Sequence, residues 1–345
     1  MPGISTKPIT ILASESTEAM GRAICDRLNQ KTETFNMARF VMVALKQFAN
    51  HEFIATVTET IRHTDVYFLH SLHYPDPCTS LMQLLITNDA LKRASARSIT
   101  PVLPYMSFMR QDRKEHERVP ITAKLIFDLI EANRCVKHIL VLDLHAEQEQ
   151  GFADGPVDNL TALKLHAKYF MEKYADLLPR IAVLSPDFGR AKYVKRFAKY
   201  IEKHAGLQIP VIICDKDRFE ANKSSPGGII GSEYARDRVI LMCDDMVDTG
   251  GSVLPLVSML EQLGAERLFM FFAHGVLSMK DGITAESRLR ATGAQVIITN
   301  SIPRTAAYED ENRDWLTILP LEDLLTESIY EAWIPGGSIS KINSH

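Results

Sequence analysis

Short runs of β-branched and apolar residues alternate along the chain with longer stretches whose apolar positions recur every three or four residues. That is the pattern of strands alternating with amphipathic helices. In the first part, strands are predicted over 10–12, 66–70, 100–104 and 138–143, the last a continuous apolar run of the kind that a fully buried strand shows. Between them, Met20, Ala23, Ile24 and Leu28 fall on one helical face. A second helix is expected from a capping Ser80 to about residue 96, with Leu81, Leu84, Leu85, Leu91 and Ala94 as its apolar stripe, and a third over 123–132. The second part repeats the rhythm, with strands over 181–184, 211–214, 238–243, 267–273 and 296–299 and helices over 191–203 and 252–263. Residues 29–47 read as a longer mixed segment and 332–345 as a loop. The alternation predicts an α/β protein of two doubly wound domains with mostly parallel sheets. The boundary falls near 155–165, giving domains 1–160 and 161–345, with chemistry at the carboxyl ends of the strands.

Length and composition narrow this picture. A chain of 345 residues exceeds one ordinary domain, so two are expected. The net charge of −4 gives no reason to expect a general nucleic-acid surface, which needs a basic excess. The five cysteines are scattered and form no CxxC pair, which fits reduced thiols in the cytoplasm better than a disulfide framework. No basic segment followed by a long apolar stretch opens the chain. The most apolar run, 268–273, is far too short to cross a bilayer, so no membrane partner is expected.

The most informative segment is Cys243-Asp244-Asp245-Met246-Val247-Asp248-Thr249-Gly250-Gly251-Ser252, between a buried strand and an amphipathic helix. Glycines there let the backbone approach a ligand, and the amides from Thr249 to Ser252 then point at an anion, aided by the helix N-terminus. The hydroxyls of Thr249 and Ser252 add donors. Asp244 and Asp245 are placed to bind sugar hydroxyls, directly or through a metal ion. A lone Thr-Gly-Gly would read as a turn. Together with Asp244, Asp245 and Asp248 it reads as a site for a ribose carrying a 5-phosphate. The segment resembles the phosphoribosyl-diphosphate loop of type I phosphoribosyltransferases and of ribose-phosphate diphosphokinases, and does not separate the two.

Other segments separate them. The run from Val141 to Phe152, Val-Leu-Asp-Leu-His-Ala-Glu-Gln-Glu-Gln-Gly-Phe, is a buried strand ending in acids, amides and His145. Alone, His145 would read as a satisfied loop histidine. The word around it closely resembles the signature of ribose-phosphate diphosphokinases, which phosphoribosyltransferases lack. Three further segments match that family in the same order: Arg110-Gln111-Asp112-Arg113 with Arg118 to Lys124; Ser185-Pro186-Asp187-Phe188-Gly189; and Asp215-Lys216-Asp217-Arg218. The resemblance covers nearly the whole chain and implies two phosphoribosyltransferase-like domains, the first on the ATP side. It implies that Arg110, Gln111 and Asp112 bind ATP, where guanidinium groups suit bidentate phosphate contacts. It implies that His145 and Asp187 hold Mg²⁺, and that Lys216 and Arg218, with His145, act on the transferred group. The reaction implied is transfer of the β,γ-diphosphoryl group of ATP to the C1 hydroxyl of ribose 5-phosphate by a homo-oligomer built from dimers, as large as a hexamer.

Two departures stand out. Where the family reads Phe-Ser-Asp-Gly-Glu in the loop that reaches the adenine, this chain reads Phe48-Ala49-Asn50-His51-Glu52, so Phe48, Asn50 and Glu52 are the expected adenine contacts. After Asp187 the family usually shows two glycines, whereas Gly189 is followed here by Arg190. These changes leave room for the same chemistry on a larger acceptor such as ADP-ribose, or for a non-catalytic regulatory homologue.

Overall fold

Alternate side chains along the central strands enter opposite hydrophobic clusters. In the second half, Ile181, Val183, Val239, Leu241, Phe269 and Phe271 pack in one cluster, while Ala182, Leu184, Ile240, Met242, Met270 and Phe272 pack in another. A strand buried on both faces needs helices on both, which is the doubly wound arrangement. The computed structural model describes residues 8–31, 37–214 and 229–343.

The described residues form two units. The first lies within Met1–Leu160, Ser301–Pro303 and Pro320–Ser344, the second within Thr161–Asn300 and Arg304–Leu319. The first unit holds β1 (Ile9–Ala13), β2 (Ala38–Gln47), β3 (Phe53–Val57), β4 (Asp65–Leu69), β5 (Ser98–Leu103), β6 (Ile139–Leu142) and β7 (Val157–Leu160). The second holds β8 (Ile181–Ser185), β9 (Val211–Cys214), β10 (Ile229–Ile230), β11 (Val239–Val247), β12 (Arg267–Gly275), β13 (Gln295–Thr299) and β14 (Leu316–Leu319). The two sheets have one topology. The orders are β3-β2-β1-β4-β5-β6-β7 and β10-β9-β8-β11-β12-β13-β14. In each sheet only the β2–β3 or β9–β10 pair is antiparallel. Strand order reverses between β1 and β4 and between β8 and β11. A crevice at the carboxyl ends of such strands is where open α/β sheets bind ligands.

The α/β reading holds, with several local differences. The mixed segment 29–47 contains β2, whose last residues are mostly exposed and therefore carry no strict alternation. The helix expected from Ser80 starts at Pro77: Asp76 caps it, accepting from the amides of Cys78 and Thr79 at 3.0 Å, while Ser80 is buried. β11 runs past Cys243 to Val247, so the acids sit within the strand. The helix Glu322–Trp333 buries Leu325, Ile329 and Trp333 and packs on the helix Glu18–Lys31. Arg27–Asp323 at 2.7 Å and Lys31–Glu327 at 2.5 Å line that contact. Apolar burial draws Pro320–Ser344 into the first unit, whereas a sequential division would give it to the second. The tail expected as loop contains a short helix, Ser340–Asn343. Among the described residues, no helix is long and apolar enough to cross a membrane.

Candidate active site

The second unit builds its site at the β8–β11 reversal. β8 and β11 pair from Ile181–Val239 to Leu184–Met242, and β11 continues for five residues beyond that last pair. Asp244 and Asp245 lie in this overhang. β8 ends at Ser185, whose Oγ donates to the carbonyl of Asp187 at 2.7 Å and tightens the turn. The Asp187 carboxylate accepts from the amide of Arg190 at 2.9 Å, closing the turn into the helix Ala191–Ala205. Arg190 then reaches sideways. Its Nε lies 2.9 Å from Asp244 Oδ1 and its Nη2 lies 2.6 Å from Asp245 Oδ1. Arg190 thus meets Asp187 through its backbone amide and Asp244 and Asp245 through its guanidinium. Burial, and then the neighbouring Asp245, push the Asp244 carboxyl well above the usual carboxylate range, with Arg190 opposing them.

Beyond the overhang, Asp248 and Thr249 are half-buried, Gly250 is buried, and Gly251 and Ser252 are exposed. Gly250 has φ +72°, a left-handed conformation that a side chain would strain. Ser252 stands at the N-terminus of the helix Val253–Gln262, and its side chain forms no capping bond. The loop is held from outside by a residue that the sequence reading missed: Arg288 Nη1 donates to the carbonyl of Thr249 at 3.1 Å. Arg288 lies in the separate helix Ala285–Arg290, and nothing in its local sequence signals the role.

In the first unit, Arg110, Gln111 and Asp112 follow β5 and His145 follows the neighbouring β6, so both groups stand beyond the carboxyl ends of paired strands. Gln148 Nε2 donates to Asp112 Oδ2 at 3.5 Å, and Thr122 Oγ1 bonds Gln111 Oε1. The approach to His145 is fixed by β7: the amide of Asp143 donates to Leu160 at 2.8 Å, and that of Leu144 to Asn159 Oδ1 at 3.0 Å. Phe108, Arg118 and Asp143 all have positive φ, at 70°, 62° and 37°. Backbone strain of this kind gathers at functional sites. Phe48, Asn50 and Glu52 form the β2–β3 turn, whose hydrogen bonds are local: Phe48 N to Glu52 O at 2.8 Å, and Glu52 N to Asn50 Oδ1 at 3.2 Å. His51 takes φ 69° where the resembling family has glycine. Lys216 and Arg218 lie outside the described residues.

At the strand reversal of the first unit, Ser14, His70 and Ser80 are buried. Ser14, after β1, and Ser80 both lie within hydrogen-bonding distance of His70, after β4, at 3.0 Å to Nδ1 and Nε2 respectively. Burial holds the His70 imidazole down at about 4. In strand order His70, after β4, corresponds to the segment that follows β11 in the second unit.

Residues 9–133 match the model of the N-terminal domain of ribose phosphate pyrophosphokinase, and 211–334 match the phosphoribosyl synthetase-associated domain. A ribose-phosphate pyrophosphokinase of Bifidobacterium longum is 36% identical over 296 residues, covering 86% of this chain and 83% of that protein. One of Hyphomonas neptunium is 35% identical over 320 residues, covering 92% and 95%. The crystal structure of phosphoribosylpyrophosphate synthetase from Mycobacterium smegmatis superimposes with a TM-score of 0.81 at 32% identity, covering 95% of this chain and 99% of that one.

Proposed function

Since the chain belongs to the ribose-phosphate pyrophosphokinase family, we propose that it transfers the β,γ-diphosphoryl group of ATP to the C1 hydroxyl of ribose 5-phosphate, releasing AMP. Pyrophosphokinase and diphosphokinase name the same activity. The observation that carries the reading within the molecule is the overhang of β11, with Asp244 and Asp245 beside the Asp187 turn and a left-handed Gly250 before a helix N-terminus.

The sugar's 5-phosphate lies on the amides of Thr249 to Ser252, with the hydroxyls of Thr249 and Ser252 as further donors. Asp244 and Asp245 take the ribose hydroxyls, and Asp248 binds the ribose phosphate with them. Arg110, Gln111 and Asp112 bind the ATP phosphates, and Phe48, Asn50 and Glu52 the adenine. Among the described residues, no three His, Cys, Asp or Glu side chains gather as a protein cage for a metal. A sparse donor set suits Mg²⁺, which keeps waters and phosphate oxygens as ligands. His145 and Asp187 are the residues that would hold it, and the ion would neutralise charge on the transferred phosphates. The chain orients the C1 hydroxyl in line with the β-phosphorus. Lys216 and Arg218 offset the negative charge that develops on the oxygen leaving with AMP. Assembly into dimers and larger rings belongs to the same proposal.

Relatives that carry the ribose-phosphate name favour that acceptor over ADP-ribose. Mass spectrometry of reactions containing ATP, Mg²⁺ and either acceptor tests the choice. AMP and phosphoribosyl diphosphate are expected with ribose 5-phosphate. AMP from neither mixture would refute the activity, and product from ADP-ribose alone would move the acceptor. Lys216→Ala and Arg218→Ala should lower kcat by about a hundredfold or more with little change in KM for the sugar.

A further inference from the structure

Arg190 touches three of the acids assigned to the second unit's site. Its amide serves Asp187, its Nε serves Asp244 and its Nη2 serves Asp245. The Arg190 side chain is only 15% exposed, the Asp244 side chain 24% and the Asp245 side chain 4%, so the bond to Asp245 above all is sheltered from solvent and salt. We infer that Arg190 is a positioning residue of the acceptor site, a fixed cation that sets the orientation and charge of the two carboxylates offered to the sugar. The inference rests on the function proposed above and adds a determinant of acceptor affinity to it.

Two lines of reasoning support this role. The first is electrostatic. Asp187, Asp244, Asp245 and Asp248 all stand at the carboxyl ends of two neighbouring strands, where an anionic sugar phosphate has to dock. Adjacent carboxylates repel one another and the incoming phosphate, and one half-buried guanidinium cancels part of that field. The second is geometric. A planar fork with separate Nε and Nη2 donors bridges two carboxylates and fixes their mutual orientation, whereas an ammonium is a single point charge. Since Asp244 and Asp245 follow one another in a strand, their side chains start toward opposite faces. The guanidinium ties both to one centre.

The opposite possibility is that Arg190 plugs the site and has to leave before the sugar enters. The two roles give opposite signs. Calorimetric titration of ribose 5-phosphate into the full-length protein, without nucleotide, should show Arg190→Gln binding at least about tenfold more weakly than the unaltered chain. Arg190→Lys should recover part of that loss. In steady-state assays the change should fall on KM for the sugar, with kcat and KM for ATP moving less than about threefold. Equal or tighter binding by Arg190→Gln overturns the inference. So does an equal loss in the Lys and Gln variants accompanied by an equal fall in melting temperature, which would mark a purely structural residue. If the unaltered chain binds the sugar in the expected order but releases no AMP, the proposed reaction fails and the role of Arg190 stands. If it turns over normally and Arg190→Gln matches it, only the role of Arg190 fails. No sugar binding by the unaltered chain overturns both.

Discussion

His70 is a buried histidine at the strand reversal of the first unit. Its ring is buried between Ser14 and Ser80, and burial outweighs the bond to the Ser80 carbonyl in holding its pKa down at about 4. In the second unit His166 is held down at about 3, by burial first and by His274 second. An unfolded chain binds these protons near pH 6.5, and the folded chain only near the lower values. Folding therefore excludes protons in between, and the stability present above pH 6.5 is lost as pH falls toward 4. Each histidine should remove about 2 kcal/mol of stability between pH 7.5 and pH 5. Urea unfolding of His70→Asn should show a pH dependence smaller by about that amount, and an unchanged slope would show that His70 does not stay neutral. His51 belongs to the same scale. It holds a left-handed φ where a glycine would be unstrained, and the turn keeps its shape through Phe48–Glu52 and Asn50–Glu52 bonds.

A strand that outlasts its neighbour builds the candidate site. β11 carries two acids past the last β8 pair, and the loop after it turns at Gly250 into a helix. The turn depends on backbone conformation more than on space, since an added Cβ at Gly250 would meet Leu289 at 3.4 Å, an ordinary contact. Gly250→Ala should therefore cost about 1 kcal/mol of stability through its positive φ. It should raise KM for ribose 5-phosphate severalfold while leaving KM for ATP in place. Steady-state kinetics with each substrate varied in turn provides the check, and an unmoved sugar KM would remove the loop from the phosphate site. The acids, the glycines and Ser252 are legible in the sequence because they are consecutive, and their strand–turn–helix setting follows from local periodicity. Arg288, which fastens Thr249, is not, since only the folding of another helix brings it there.

The whole chain uses one strand order twice, with different side chains at the two reversals. The first copy carries the buried Ser14, His70 and Ser80 at its reversal, with Arg110–Asp112 and His145 after β5 and β6. The second carries Asp187, Asp244 and Asp245 at its reversal. The chain also returns to its beginning: Leu325, Ile329 and Trp333 bury the helix Glu322–Trp333 in the first unit, against Glu18–Lys31. The exposed ion pairs along that contact add little, so apolar burial holds it. Ending the chain after Leu319 should destabilise the first unit by about 5 kcal/mol. Amide hydrogen exchange should speed up over Glu18–Lys31 and stay slow over β8. Slow exchange in Glu18–Lys31 after truncation would contradict the packing.

Local pattern alone specifies the alternation of strands and helices, the burial of the central strands, and the segments that hold Asp244 to Ser252, His145 and Asp187. Each of these is written in residues close together, where periodicity, glycine and charge act locally. Only the packed fold sets Arg190 on Asp244 and Asp245, fastens Thr249 with Arg288, and joins the helix Glu322–Trp333 to the first unit. Those pairings join residues far apart in the chain, and packing chooses among many partners that local pattern leaves equivalent.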